Sequence, residues 1–349
     1  MWCIWIGMAD KVDRFALYRI KYIDEAEATY YQQLGKVLAD IEKEIIETVD
    51  TLPTILDSAT KEQKLFQLKT SVAMRPKIQA IIEKHYPRYA DRIVREGFNK
   101  QAKRIERAFK ALGAVPVAFQ SLTETDLALI KNLKLNTFNQ FQDIKNRFTR
   151  KLNEQLYAST IVGRSKQEAI EELATSINGI YKRSSQQGIN RLVGFIEANK
   201  FNKRKKEQVK KALARLQTHY GSDRTGESMR RHSTQLINDS FRDFDAQLNA
   251  KKSEDAGLTY AKYTGDIIGT TRDHCRKLIK GKFRSYIKDI ERKQQGIFSK
   301  DEIRKIWTSR NWGGKRGGDA FVVRGGYNCR HQWSYVDPSW YDKSGDLNI

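Results

Sequence analysis

Cysteine is scarce in this chain: Cys3, Cys275 and Cys329 are the three present in 349 residues. So few exclude a disulfide scaffold and fit synthesis in a reducing compartment. No run of apolar residues is long enough for a transmembrane helix, so a soluble chain is expected. The opening MWCIWIGM is apolar but too short to span a bilayer, and it has neither a basic flank nor a cleavage pattern. It therefore does not read as a signal peptide, and Met8 is an alternative start to Met1. Also missing are a glycine-rich phosphate loop, Gly-x-Ser-x-Gly and His-Glu-x-x-His, each a signature of a major enzyme class. A metal nuclease needs histidines and carboxylates gathered around an ion. Asp273, His274 and His331 are the residues that could supply them, which makes a metal-dependent nuclease or nucleic-acid-binding protein the alternative reading.

What is present is ordinary apolar content with an extraordinary charge. Hydrophobic residues make up 39% and charged residues 30%, enough to fold, and the length suggests two or three units. The formal net charge is +22. Residues 181–220 carry 11 Lys and Arg against 2 Glu, and residues 251–335 carry 20 against 9 acidic residues. Nearly all the excess lies in these two blocks. Such a field favours a polyanionic partner, nucleic acid or an acidic protein surface, although a solvated basic face also fits. Within the first block, Lys203, Arg204, Lys205, Lys206, Lys210 and Lys211 are expected on one exposed helix and are candidate contacts to DNA or a partner.

Residues 10–250 read as mainly helical. Leu34, Leu38, Ile41, Ile45, Val49 and Leu52 recur at steps of three and four, forming one helix stripe that ends near Pro53. A second helix is expected over 60–84, kinked by Pro76 and bounded by Pro87, and a third over 88–112. Residues 113–116 read as a loop. A long helix should cover 124–161, with Phe138, Phe141, Phe148, Leu152 and Leu156 on one face. Ser165 and Glu168 form a capping box. Met229, Leu236, Phe244 and Leu248 mark another helix ending near Asn249. Beyond Gly257 the pattern changes: 258–263, 320–323 and 332–336 read as strands, with short helices over 272–279 and 300–309. The expected fold is mainly α, a long helical N-terminal region followed by a small α+β C-terminal module. The segments are an extension at 1–9, helical regions at 10–115 and 116–250, the module at 251–337 and a tail at 338–349.

Two elements in the module stand out. One is Thr270-Thr271-Arg272-Asp273-His274-Cys275, with Gly281 and Lys282 following; the other is Gly325-Gly326-Tyr327-Asn328-Cys329-Arg330-His331. Sulfur and imidazole ligands suit zinc, so Cys275, Cys329 and His331 with His274 or Asp273 could form a four-ligand site. The favoured reading is a cysteine pair buried as small hydrophobes or forming a late disulfide, so no cofactor is expected and zinc is the alternative. Arg272 and Arg330 read either as contacts to phosphate or a partner carboxylate, or as internal ion pairs, Arg272 with Asp266 and Arg330 with Asp273.

Together these elements resemble the phage Mu F-like family of head morphogenesis proteins. The matching positions are Asp266, Thr271, Arg272, Cys275, Gly281, Lys282, Asn328, Cys329 and Arg330, and the resemblance spans about residues 155–337. Two positions depart from the family pattern: Tyr327 stands where a His-Pro pair is common, and His331 replaces a final cysteine. The resemblance implies a non-enzymatic minor capsid protein that works in capsid assembly and is portal-associated. Its implied partners are the portal protein, scaffold or major capsid protein, and packaged double-stranded DNA, with a possible influence on genome ejection. The implied location is the virion, inside the head or at the portal, with passage through the host cytoplasm during assembly.

Overall fold

The structure is a computed structural model. It describes residues 10–52, 60–111, 117–181, 187–199, 227–269, 271–327 and 329–341, with scattered positions from 202 to 225. The helices are α1 (Asp10–Asp50), α2 (Lys61–Ala73), α3 (Arg75–Arg92), α4 (Phe98–Ala111), α5 (Val117–Gln120), α6 (Glu124–Val162), α7 (Lys166–Asn178), α8 (Gln187–Asn199) and α9 (Met229–Asp255). A small antiparallel pair, β1 (Ile180–Tyr181) with β2 (Arg224–Thr225), interrupts them. The last third holds β3 (Tyr260–Thr264), α10 (Asp273–Ile279), α11 (Ile290–Gln295), β4 (Phe298–Ser299), α12 (Lys300–Ser309), α13 (Ala320–Val323) and β5 (Gln332–Val336). The chain is thus mainly α with a small α+β module late in the sequence.

The chain forms two compact units. One gathers Met1–Ala28, Arg92–Thr137 and Ile237–Ile349; the other gathers Thr29–Asp91 and Phe138–Leu236. The long helices α1, α6 and α9 therefore each contribute to both.

In the unit containing Thr29–Asp91, the expected stripe on α1 is buried at Leu34, Leu38, Ile41, Ile45 and Val49. It is joined there by Ile78, Ile82, Tyr86 and Tyr89 of α3 and by Phe141, Phe148, Leu152 and Leu156 of α6. Phe138, expected on the same face, is only half-buried. Hydroxyls in this core are satisfied: Tyr89 donates to the Tyr30 carbonyl at 2.7 Å, and Tyr86 shares a hydrogen bond of 2.6 Å with Ser233. The Ser165–Glu168 capping box forms as expected at the start of α7.

Two proline expectations need separating. Near Pro76 the helix does break, after Ala73, and α3 begins at Arg75. Pro87 does not bound a helix: it lies inside α3, which continues to Arg92 and on through a π-helical turn, Ile93–Gly97, into α4. An interior proline costs about 3 kcal/mol or more. The burial of Tyr89, Ala90 and Ile93 beyond it offsets that cost, since large apolar side chains contribute about 1.5–3 kcal/mol each.

In the other unit, Phe98 of α4 packs on Phe241 and Phe244 of α9, at ring separations of 5.3 and 4.4 Å. The polar face of α9 is also buried, and this explains its length beyond Asn249. Arg242 pairs with Asp24 at 2.7 Å and Glu27 at 2.9 Å, and Lys252 pairs with Asp126 at 3.3 Å. The sheet has order β4-β3-β5, antiparallel throughout, with β3 in the centre. Residues 320–323, expected as a strand, form α13 instead. The Asp319 carboxylate accepts from the Phe321 N–H at 2.7 Å, capping a helical turn that an extended chain could not form.

Candidate metal centre

The register of the sheet builds the site. Thr264 on β3 pairs with Gln332 on β5, which sets Gly265 opposite His331. Gly265 has φ +148, and a Cβ there would meet His331 Cδ2 at 2.6 Å, so a side chain would push the imidazole away. Alternation along β3 buries Ala261 and Tyr263. Helix α10 presents Cys275, and the segment entering β5 presents Cys329.

Cys275, Cys329 and His331 are all buried, and their ligand atoms lie within 4.8 Å of one another. The two sulfurs are 3.8 Å apart, and Cys329 Sγ is 3.7 Å from His331 Nδ1. Nε2 of His331 lies 3.1 Å from the Asp266 carbonyl. A carbonyl only accepts, so Nε2 donates a hydrogen to it, and this bond turns Nδ1 toward the sulfurs. Metal-bound histidines are oriented in this way by a second hydrogen bond. Tyr263 Oη lies 3.3 Å from Cys275 Sγ and 3.4 Å from Cys329 Sγ. The three residues form a buried group able to hold a metal ion.

The electrostatics divide the two thiols. The hydrogen bond from Cys275 holds the Cys329 thiol well below its usual range against the opposing effect of burial, with help from His331 and Arg324. The same hydrogen bond, together with burial, pushes Cys275 up. Burial raises the Tyr263 phenol.

His274 does not belong to this group. Its ring stacks on Trp312 at 3.6 Å and 6°, and burial lowers its pKa to about 4. Adjacent helical residues point in different directions, so His274 and Cys275 do not converge on one ion. Asp273 is also elsewhere: it is exposed and pairs with Lys277 at 2.5 Å, which holds its carboxyl below the usual range. Asp273, His274 and His331 are therefore not gathered around a common point.

Arg272 does not pair with Asp266, and Arg330 pairs with Asp24 in place of Asp273. Arg272 donates from Nε to the Gly313 carbonyl at 3.1 Å and from Nη2 to the Tyr327 carbonyl. It ties the start of α10 to two glycine-bearing loops. Arg330 is more than half exposed, with Nη1 3.8 Å from Asp24. The Thr271 hydroxyl accepts from the Ile268 N–H at 2.8 Å, Asp266 contributes its carbonyl to His331, Gly281 (φ +70) follows α10, and Lys282 is exposed. Asn328 lies outside the described residues.

Of the basic run, Lys203–Lys205 form a 3-10 turn where a longer α-helix was expected. Arg204, Lys205 and Lys211 are exposed, whereas Lys206 and Lys210 lie outside the described residues. Tyr263 and Gly265 escaped the sequence reading, and Gly325 was read only as part of the second motif element. The inward phase of β3 was the one signal that could have found Tyr263. Comparison of the chain with family models, curated proteins and solved structures gives no match. Among the described residues no helix is long and apolar enough to cross a membrane.

Proposed function

We propose that this chain is a minor head protein of a tailed bacteriophage, acting by binding in capsid assembly, with a zinc-held C-terminal module and a basic surface turned toward packaged DNA. The observation that carries the reading is the meeting of two motif elements more than fifty residues apart. Cys275 of the first contacts Cys329 of the second, and Arg272 of the first donates to the backbone beside it. The residues that resemble the head morphogenesis family thus behave as one structural device.

Zinc suits this donor set. With bonds of about 2.3 Å to sulfur and about 2.0 Å to nitrogen, a tetrahedral ion spaces its sulfurs about 3.8 Å apart and sulfur from nitrogen about 3.5 Å. The separations here are 3.8 and 3.7 Å. Enclosure favours a structural ion over a catalytic one, because catalytic zinc keeps one position open. The charge of +22 supports a site beside DNA. Portal, scaffold and major capsid protein are the proposed protein partners.

Mass spectrometry of procapsids and virions from a phage encoding this chain tests the reading. The chain is expected in a few copies per particle, with the portal. Its absence from both particles, with the chain present in the infected cell, would overturn it.

A further inference from the structure

We propose that Tyr263 Oη is the fourth ligand of the ion held by Cys275, Cys329 and His331, which makes the site a closed tetrahedron of protein donors. The inference rests on the zinc reading above and adds a residue to which no cysteine or histidine spacing points.

The distances carry it. With an oxygen ligand at about 2.0 Å, a tetrahedral zinc sets that oxygen about 3.5 Å from each sulfur. Tyr263 Oη stands 3.3 and 3.4 Å from the two sulfurs, nearly equidistant, as a ligand sharing one ion with both would. Of the six edges joining the two sulfurs, the imidazole nitrogen and the phenol oxygen, four (3.8, 3.7, 3.3 and 3.4 Å) thus have tetrahedral length.

The support of Tyr263 matches that of a ligand. It projects from β3, where it is paired with Trp333 of β5. Its ring is wedged between Trp333, at 4.7 Å and 60°, and His331, at 5.6 Å and 21°. Gly325 closes the remaining approach. A Cβ there would collide with Cys275 Sγ and stand 2.9 Å from Cys329 Sγ and 3.5 Å from Tyr263 Oη. The glycine backbone therefore covers the face made by these three donors, where a water ligand or substrate would otherwise enter. Thiols are weak hydrogen-bond partners, and they alone leave a buried phenol poorly satisfied; coordination resolves this. On metal entry the thiol and phenol protons pass to solvent and no electrons move.

The test loads the full chain with cobalt(II) in place of zinc and follows the visible spectrum with and without azide. Wild type is expected to take up one cobalt with tetrahedral, thiolate-rich bands that azide leaves unchanged. Tyr263→Phe should bind at least about tenfold more weakly and open a position, so that azide shifts its spectrum. Tyr263→His restores a donor and should recover azide resistance. If wild type binds cobalt and its spectrum answers azide as the Tyr263→Phe variant does, water holds the fourth position and the inference fails while the zinc reading stands. The inference also fails if Tyr263→Phe matches wild type in affinity and spectrum. If wild type binds neither cobalt nor zinc, the zinc reading itself fails.

Discussion

At the scale of single residues, the site depends as much on glycines as on ligands. Gly325 lies against both sulfurs, so a methyl group has no space unless the cysteines part. Gly325→Ala is expected to destabilise the chain by about 1–3 kcal/mol, the usual cost of overpacking, and to weaken zinc binding. Urea unfolding with and without a chelator checks both effects. A variant as stable and as zinc-tight as wild type would mean that the loop carrying Gly325 yields freely. His274 is a contrast: it sits beside Cys275 in sequence, yet its stacking on Trp312 makes it packing material. Residue type and spacing made it a candidate ligand, and only the direction of its side chain removes it.

At the scale of elements, α9 is joined to α1 by buried charge. Arg242 holds Asp24 and Glu27, and Arg19 pairs with Asp245. Burial raises the Glu27 pKa from 4.5 to about 7, with Arg242 opposing. Between those values the folded chain binds more protons than the unfolded chain, so this group lowers stability as pH rises through the window. Its contribution is most favourable at and below about pH 4.5 and is fully lost above about pH 7. Glu27→Gln, neutral at every pH, is expected to flatten the fall in melting temperature between about pH 5 and 8 relative to wild type. Matching pH profiles for the two proteins would contradict the assignment.

Elements also show how far the sequence could be read. The α1 stripe from Leu34 to Val49, the Ser165 capping box, α12 at Lys300–Ser309 and β5 at Gln332–Val336 all followed from local periodicity and capping. Pro87 and residues 320–323 did not, because burial in one case and an aspartate cap in the other decided against local preference. Periodicity in α9 understated its length, since Lys252 is buried by pairing with Asp126, a partner 126 positions away. Of the site, Cys275, Cys329 and His331 were legible as ligand types. Tyr263 was not, because strand register and not spacing brings it to the sulfurs.

At the scale of the whole molecule, charge is the dominant property. If its excess faces phosphate, binding to duplex DNA must release counterions. Affinity for non-specific duplex is expected to fall about 1,000-fold or more between about 50 and 200 mM salt. Titration with labelled duplex at several salt concentrations measures this, and a salt-insensitive affinity would point to an acidic protein partner instead. Reversing Arg204, Lys205 and Lys211 to Glu should reduce the slope if the first basic block takes part.

The most direct measurement for the account as a whole is the metal content of the purified full chain, wild type beside Cys275→Ala and Cys329→Ala. One zinc per wild-type chain is expected, none in either variant, and a loss of stability in wild type when a strong chelator removes the ion. Wild-type protein that folds without metal and ignores both zinc and chelator would contradict it.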